Sequence, residues 1–199
     1  MFDDLITQHT PPPNRKTYCE GGVECHLSEG AVMLAFAMHL LRTWPALKQV
    51  GIQPDGEHAK RFAFRTWLEI HGFEKITSSG STAYAGTYVS KAGHMIVLNP
   101  KSGLGDVVAT LDNRSVVAEC KGGIINTKHP GQQSRLRRGL CETVGLSLAM
   151  PIVEGRRQYA VVPKTPVTES MAKKLAPRAG LAGITIALVD QTGNVFDMR

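Results

Sequence analysis

The chain has 199 residues, 42% hydrophobic and 20% charged, with a formal net charge of +6. That length amounts to one domain able to bury a core without disulfide staples, and the composition excludes collagen, coiled coil and wholesale disorder. The charge is uneven: residues 121–180 carry 11 Lys/Arg against 3 Asp/Glu, a net +8, while the rest of the chain sums to −2, an asymmetry that suggests a surface facing a polyanion.

Residues 1–27 read as irregular, with Pro11-Pro12-Pro13 as a stiff, extended punctuator. The start has no basic region followed by an apolar stretch, so no secretory signal is expected. No apolar run approaches the about 20 residues of a membrane span. Four cysteines in a chain this long do not make a disulfide framework, which together with the missing signal points to a reducing cytoplasm. The spacing of Cys19, Cys25 and His26 is not that of a zinc finger; Cys120 and Cys141 read as small core residues.

Ser28 is placed to cap a helix running to about Trp44, with Glu29 in its first turn and Pro45 beyond its end. Asp55-Gly56 marks a turn, and a second helix is expected from Glu57 to His71. There Ala59, Phe62, Ala63, Trp67 and Ile70 form a core stripe, and Gly72 ends the helix. Short strands follow near 73–77, 83–90 and 94–98. Asp106–Leu111 and Ser115–Lys121 are strand-like around a polar turn, which predicts a β-hairpin. A helix from Gly131 or Gln132 to Met150 carries Leu136, Leu140, Val144 and Leu148 at intervals of four. A strand at 158–162, a helix at 168–176, a strand at 184–189 and a short strand at 195–198 complete the chain. Strands alternating with helices imply parallel crossovers in an α/β sheet. The division that follows is an N-terminal extension over residues 1–54 with one buried helix, and a main domain over 55–199.

The hairpin carries the chemistry. Asp106 and Glu119 are separated by 12 residues across it. Strand side chains alternate, so Glu119 and Lys121 share a face. A two-residue turn at Asp112-Asn113 sets Asp106 opposite Glu119, and a turn at Asn113-Arg114 sets it opposite Lys121. A three-residue turn sets it opposite Cys120 and breaks the cluster. Two carboxylates with the Cys120 backbone carbonyl make a hard oxygen site for Mg²⁺, with Mn²⁺ able to substitute. A cation there suits phosphodiester hydrolysis, and a neighbouring Lys orients water or stabilises transition-state charge. The same letters also occur as a solvated Glu–Lys pair on a strand surface.

Gly105-Asp106 followed by Glu119-Cys120-Lys121 resembles the motif of the PD-(D/E)XK nuclease superfamily, in particular Holliday-junction resolvases and Mrr-type restriction endonucleases. The order of elements over about residues 55–195 resembles it too. Gly105 stands where the motif's name has Pro. Leu136 and Arg137 stand where an exonuclease-like branch has Tyr. The resemblance implies a restriction-endonuclease-like α/β fold, a mixed central sheet flanked by helices, with the helical N-terminal extension packed on it. It implies Asp106 and Glu119 as metal ligands and Lys121 as the catalytic lysine. Glu57 would be the helical acid that some members hold near the metal, although an acid in a first turn also simply favours the helix dipole. Gln132 or Gln133 would be the glutamine of the following helix. The implied activity is Mg²⁺-dependent hydrolysis of DNA in restriction, defence, repair or recombination. The alternatives are a non-catalytic nucleic-acid-binding module and a nuclease subunit that depends on a partner in a larger complex.

Lys128, Arg135, Arg137 and Arg138, beside the motif, are the candidates for phosphate contacts. Arg135 and Arg138 share one helix face and Arg137 lies on another. The expected partners are DNA and a second copy or protein partner, with no membrane. No Ser-His-Asp order, P-loop or dinucleotide fingerprint is present.

Overall fold

The computed structural model describes residues 2–11, 18–80, 82–100, 103–112 and 114–198, with the side chain of Glu20 left aside. Pro12, Pro13 and Asn113 therefore lie outside the described residues. Within them the strands are β1 (Ile6–His9), β2 (Glu24–Leu27), β3 (Gln49–Ile52), β4 (Phe73–Ser78), β5 (Gly86–Ser90), β6 (Met95–Leu98), β7 (Val107–Leu111), β8 (Arg114–Cys120), β9 (Gly123–Ile124), β10 (Arg156–Pro163), β11 (Ile184–Val189) and β12 (Val195–Met198). The α-helices are α1 (Glu29–Thr43), α2 (Gly56–Arg61), α3 (Phe64–Ile70), α4 (Pro130–Ala149) and α5 (Pro166–Leu181). None is long and apolar enough to cross a membrane.

The architecture is mixed α/β. One large sheet runs in the order β12-β11-β10-β8-β7-β3-β6-β5-β4, and a small sheet in the order β1-β2-β9. β8, β10 and β11 are parallel neighbours joined by α4 and α5, as the alternation of strands and helices implies. β7 and β8 form the expected antiparallel hairpin.

Alternation along β10 and β11 shows where the layers lie. Tyr159, Val161, Ala187 and Val189 pack with α1, whereas Ala160, Val162, Ile186 and Leu188 pack with Leu140 of α4 and Ala172 of α5. These strands are therefore covered on both faces, which is why they read as continuous apolar runs. α1 is buried from Gly30 to Ala37 and again at Leu40 and Leu41, and the Ser28 hydroxyl caps it by accepting from Ala31 N–H at 3.2 Å.

Several expectations change. The sequence pattern sets residues 1–54 apart, yet β3 lies between β6 and β7 in the large sheet and α1 belongs to the main core. The irregular first stretch contains β1 and β2. Each is four residues long, too short for a clear alternation. The single helix expected over 57–71 is two. The chain is extended at Phe62 (φ −141°, ψ 124°), and α3 restarts after it. The break rotates the apolar face, so Phe62, Phe64, Trp67 and Leu68 are buried while Ala63 and Ile70 are exposed. On α4 the buried face is Leu136, Leu140, Thr143 and Ser147, with Leu148 and Cys141 outside. Thr143 and Ser147 go inside because their hydroxyls donate to the helix's own carbonyls, Leu140 O and Thr143 O, both at 2.9 Å. α5 runs past Ala176 with Pro177 inside it, because Ala172, Ala176 and Ala179 keep one small-residue face against the sheet.

Candidate active site

The site forms where β7 begins and β8 ends. The hairpin pairs Val107 with Ala118 and Leu111 with Arg114. That is the register of a turn at Asp112-Asn113, the first of the three alternatives, and its ladder begins at Val107, one residue after Asp106. Asp112 in the turn has φ 52°, the left-handed conformation that tight hairpins need. Asp106 is held by its backbone on two sides. Its N–H donates to Ala118 O at 2.9 Å and its carbonyl accepts from Gln53 N–H at 2.8 Å. On the neighbouring strand end, Lys121 N–H donates to Val161 O at 3.0 Å, so sheet pairing continues through the lysine. Gly105 leaves room for this junction. A Cβ there would lie 2.7 Å from Val117 Cγ1 and 3.1 Å from Ala118 O, so the proline of the motif's name would require Val117 and the neighbouring backbone to shift.

Both carboxylates are hard to ionise here. Burial pushes Asp106 up to about 6, against the Cys120 N–H that donates to its Oδ2 at 2.7 Å. Burial, and after it the neighbouring charge of Asp106, pushes Glu119 up to about 7. Two half-buried acids that each resist a second negative charge are a ready acceptor for a cation. Cys120 lies between Glu119 and Lys121 with its side chain buried among the core residues. Its thiol is pushed well up by burial and takes no part as a thiolate.

Lys121 is not left to solvent. Its ammonium lies 3.2 Å from Glu29 Oε1 and 3.4 Å from Glu142 Oε1. Burial acts to lower the lysine, and the two glutamates outweigh it, so it stays firmly protonated. Glu29 is the first residue of α1, 92 positions from Lys121. Gly122 makes the approach possible, since a Cβ on it would run into the backbone of Leu27, Ser28 and Glu29. The backbone that packs against Gly122 is thus the junction of β2 and α1. Glu29 Oε1 also lies 3.0 Å from His58 Nε2. His58 Nδ1 accepts from Asp55 N–H at 3.2 Å, so a neutral ring carries its proton on Nε2, facing Glu29. The Glu29 bond raises the pKa of this imidazole, partly opposed by burial.

Of the residues singled out in the sequence, Asp106, Glu119 and Lys121 come together. Glu57 does not join them: it is exposed and pairs with Lys60 at 2.6 Å, one turn on. The helical acid that reaches the lysine is Glu29, and no local pattern links it to a residue so far along the chain. Gln132 lines a cleft beside the site together with Arg135 and Gly122. Gln133 turns back to its own loop, donating to Thr127 O at 3.4 Å. Lys128, Arg137 and Arg138 are exposed on and before α4.

Among the described residues no group of three or more His, Cys, Asp or Glu side chains is placed to hold a metal ion. A cation would therefore rest on Asp106, Glu119 and a main-chain oxygen such as that of Cys120, completed by water and substrate. That is how Mg²⁺ is commonly held, through one or two carboxylates and substrate phosphate. Comparison of the chain with protein-family models, with curated proteins and with solved structures returns no match.

Proposed function

We propose that the protein is a Mg²⁺-dependent nuclease that hydrolyses DNA phosphodiester bonds, on a restriction-endonuclease-like core. The observation that carries this reading is the convergence of Asp106, Glu119 and Lys121 where β7 begins and β8 ends, with Cys120 N–H donating to Asp106 Oδ2 and the charges of Asp106 and Lys121 both acting on Glu119. The order α1 with Glu29, β3, β7, β8, α4 with Gln132 and β10 supports the fold assignment, with α2, α3 and β4–β6 inserted before β7. In this reading Glu29 takes the place that the sequence offered to Glu57.

Asp106 and Glu119 bind the cation, and its charge lets both ionise together at neutral pH. A bound Mg²⁺ or Mn²⁺ supplies Lewis acidity at the phosphoryl oxygen and an acidified water. Lys121, held by Glu29 and Glu142, keeps a fixed positive charge beside the carboxylates, where it orients the attacking water and meets charge developing on phosphate. The preorganised contacts matter because a group fixed before the reaction needs no rearrangement during it.

The direct test is nicking and linearisation of supercoiled plasmid with Mg²⁺, Mn²⁺ or EDTA. The wild type is expected to cleave only with metal, and Asp106→Ala and Lys121→Ala are expected to lose at least about a hundredfold in rate. Cleavage that persists in EDTA, or in both variants, sinks the reading.

A further inference from the structure

Beside the proposed active site, two cavities of about 400 Å³ and 330 Å³ share His26, Arg61, Gly122 and Gly123 and so form one cleft. Its outer wall is the small sheet: β1 contributes His9 and β2 contributes His26. β2 is paired on both sides, to β1 and to β9, which fixes that wall directly after the Lys121-Gly122 strand end. Glu29, in contact with Lys121, lines the end of the cleft nearest the site. Arg61 and Arg135 line the length beyond it.

The balance of charge in this cleft is set by pairing. Three carboxylates face it: Glu29 lies against Lys121 and His58, Glu57 against Lys60, and Glu24 within 3.1 Å of His26 Nε2. Arg61 and Arg135 have no ion-pair partner among the described residues. Beyond these contacts the cleft carries two guanidinium groups, planar forks suited to phosphate oxygens. The imidazoles of His9 and His26 lie 6.1 Å apart, on the wall beside them. Rings along a basic groove are how unpaired bases are held. The two cavities are of the size that holds one or two nucleotides in line.

We infer that the cleft between the small sheet and α4 binds an unpaired nucleic-acid strand leading to the active site, with Arg61 and Arg135 on its phosphates. The inference rests on the nuclease reading for its choice of ligand. It assigns the substrate of that site as DNA with a single-stranded segment, and makes Arg61 and Arg135 binding residues that take no part in the chemistry.

The experiment is fluorescence anisotropy in EDTA, where no cleavage occurs, with a labelled 12-nucleotide single strand and a blunt duplex of the same sequence. The proteins are the wild type, Arg61→Ala, Arg135→Ala, the double variant, and Arg178→Ala on α5 as a charge-matched control. The single strand is expected to bind at least about tenfold tighter than the duplex. Each cleft variant is expected to weaken that binding by about five- to tenfold, and the double variant to flatten the log–log salt slope by about 1.4. Arg178→Ala should leave all of it unchanged. Melting curves confirm that every variant is folded. Single-strand binding that is absent in the wild type, within twofold of wild type in the double variant, or no tighter than duplex binding overturns the inference. The plasmid assay reads the nuclease proposal separately. Cleavage with no effect of the arginines removes the cleft inference alone, and arginine-dependent binding without cleavage removes the nuclease reading alone.

Discussion

At the residue scale the burial of the Asp106 carboxyl works against the stability of the fold. Asp106 sits at about 6 in the folded protein, above an ordinary aspartate. Between those two values the unfolded chain is ionised while the folded chain still binds a proton, so folding stability falls as pH rises through that window. Asp106→Asn keeps the acceptor for Cys120 N–H and removes the titration. It is expected to raise stability at pH 8 by about 2 kcal/mol, with the gain shrinking towards zero near pH 4, as read by urea unfolding at the two pH values. An equal gain at both would show that the carboxylate is not held in a costly state. Under the proposed function the same groups set the activity profile: with Asp106 at about 6 and Glu119 at about 7 before the cation binds, cleavage at limiting Mg²⁺ should rise through pH 6–7 and collapse below it, and saturating Mg²⁺ should move the rise to lower pH. Glu29→Gln weakens one of the two ion pairs on Lys121. The expected outcome is about a tenfold fall in kcat with KM little changed, as for a group that positions another. A matching rise in KM alone would assign Glu29 to substrate binding instead.

At the element scale, what could be read from the sequence follows contact range. The β7–β8 hairpin, α4 and the β10-α5-β11 crossover were legible because each declares itself within about twenty residues, by alternation, by helical spacing or by Gly and Pro at its ends. The hairpin's register was legible only to within three alternatives, because turn length is a local choice that flanking pairs decide. The small sheet was not legible: β9 has two residues, and its partner β2 lies about a hundred positions earlier, so neither carries a pattern of its own. Glu29 was missed for the same reason. Its signal in the sequence is that of any acid after a capping serine, and only the tertiary fold brings it to Lys121. Gly122 is the position where these elements meet. Gly122→Ala forces β2 and the start of α1 away from the end of β8. It is expected to cost about 1–3 kcal/mol in stability and to lower cleavage more than that loss explains, because it displaces Glu29 from Lys121. Stability by chemical unfolding and cleavage at a temperature where the variant is fully folded separate the two effects. An unchanged rate in the folded variant would show that the approach of α1 serves packing alone.

At the scale of the whole molecule, the proposed cation site would make the fold itself a sensor of divalent cation through its two raised carboxylates. A ligand that binds the folded chain and not the unfolded one adds RT ln(1 + [L]/Kd), about 2.7 kcal/mol at a hundredfold excess over Kd. For a chain of this size that amounts to about 5–10 °C in Tm. The sign of its pH dependence follows from the protons. At pH 8 Asp106 and Glu119 have both lost theirs and repel each other, so a cation neutralises an existing penalty. At pH 5 both are mostly protonated, being raised to about 6 and about 7, and a cation must displace two protons to bind. Mg²⁺ is therefore expected to raise Tm at pH 8 and to do little at pH 5. Asp106→Asn and Glu119→Gln are expected to lose the Mg²⁺ increment while starting from a higher metal-free Tm. Thermal melts of the three proteins with Mg²⁺ and with EDTA at both pH values read this without any substrate. An increment of equal size in the variants would place the cation elsewhere on the molecule, whereas its loss in both ties the hairpin register, the burial of the two acids and the stability of the sheet to one ion.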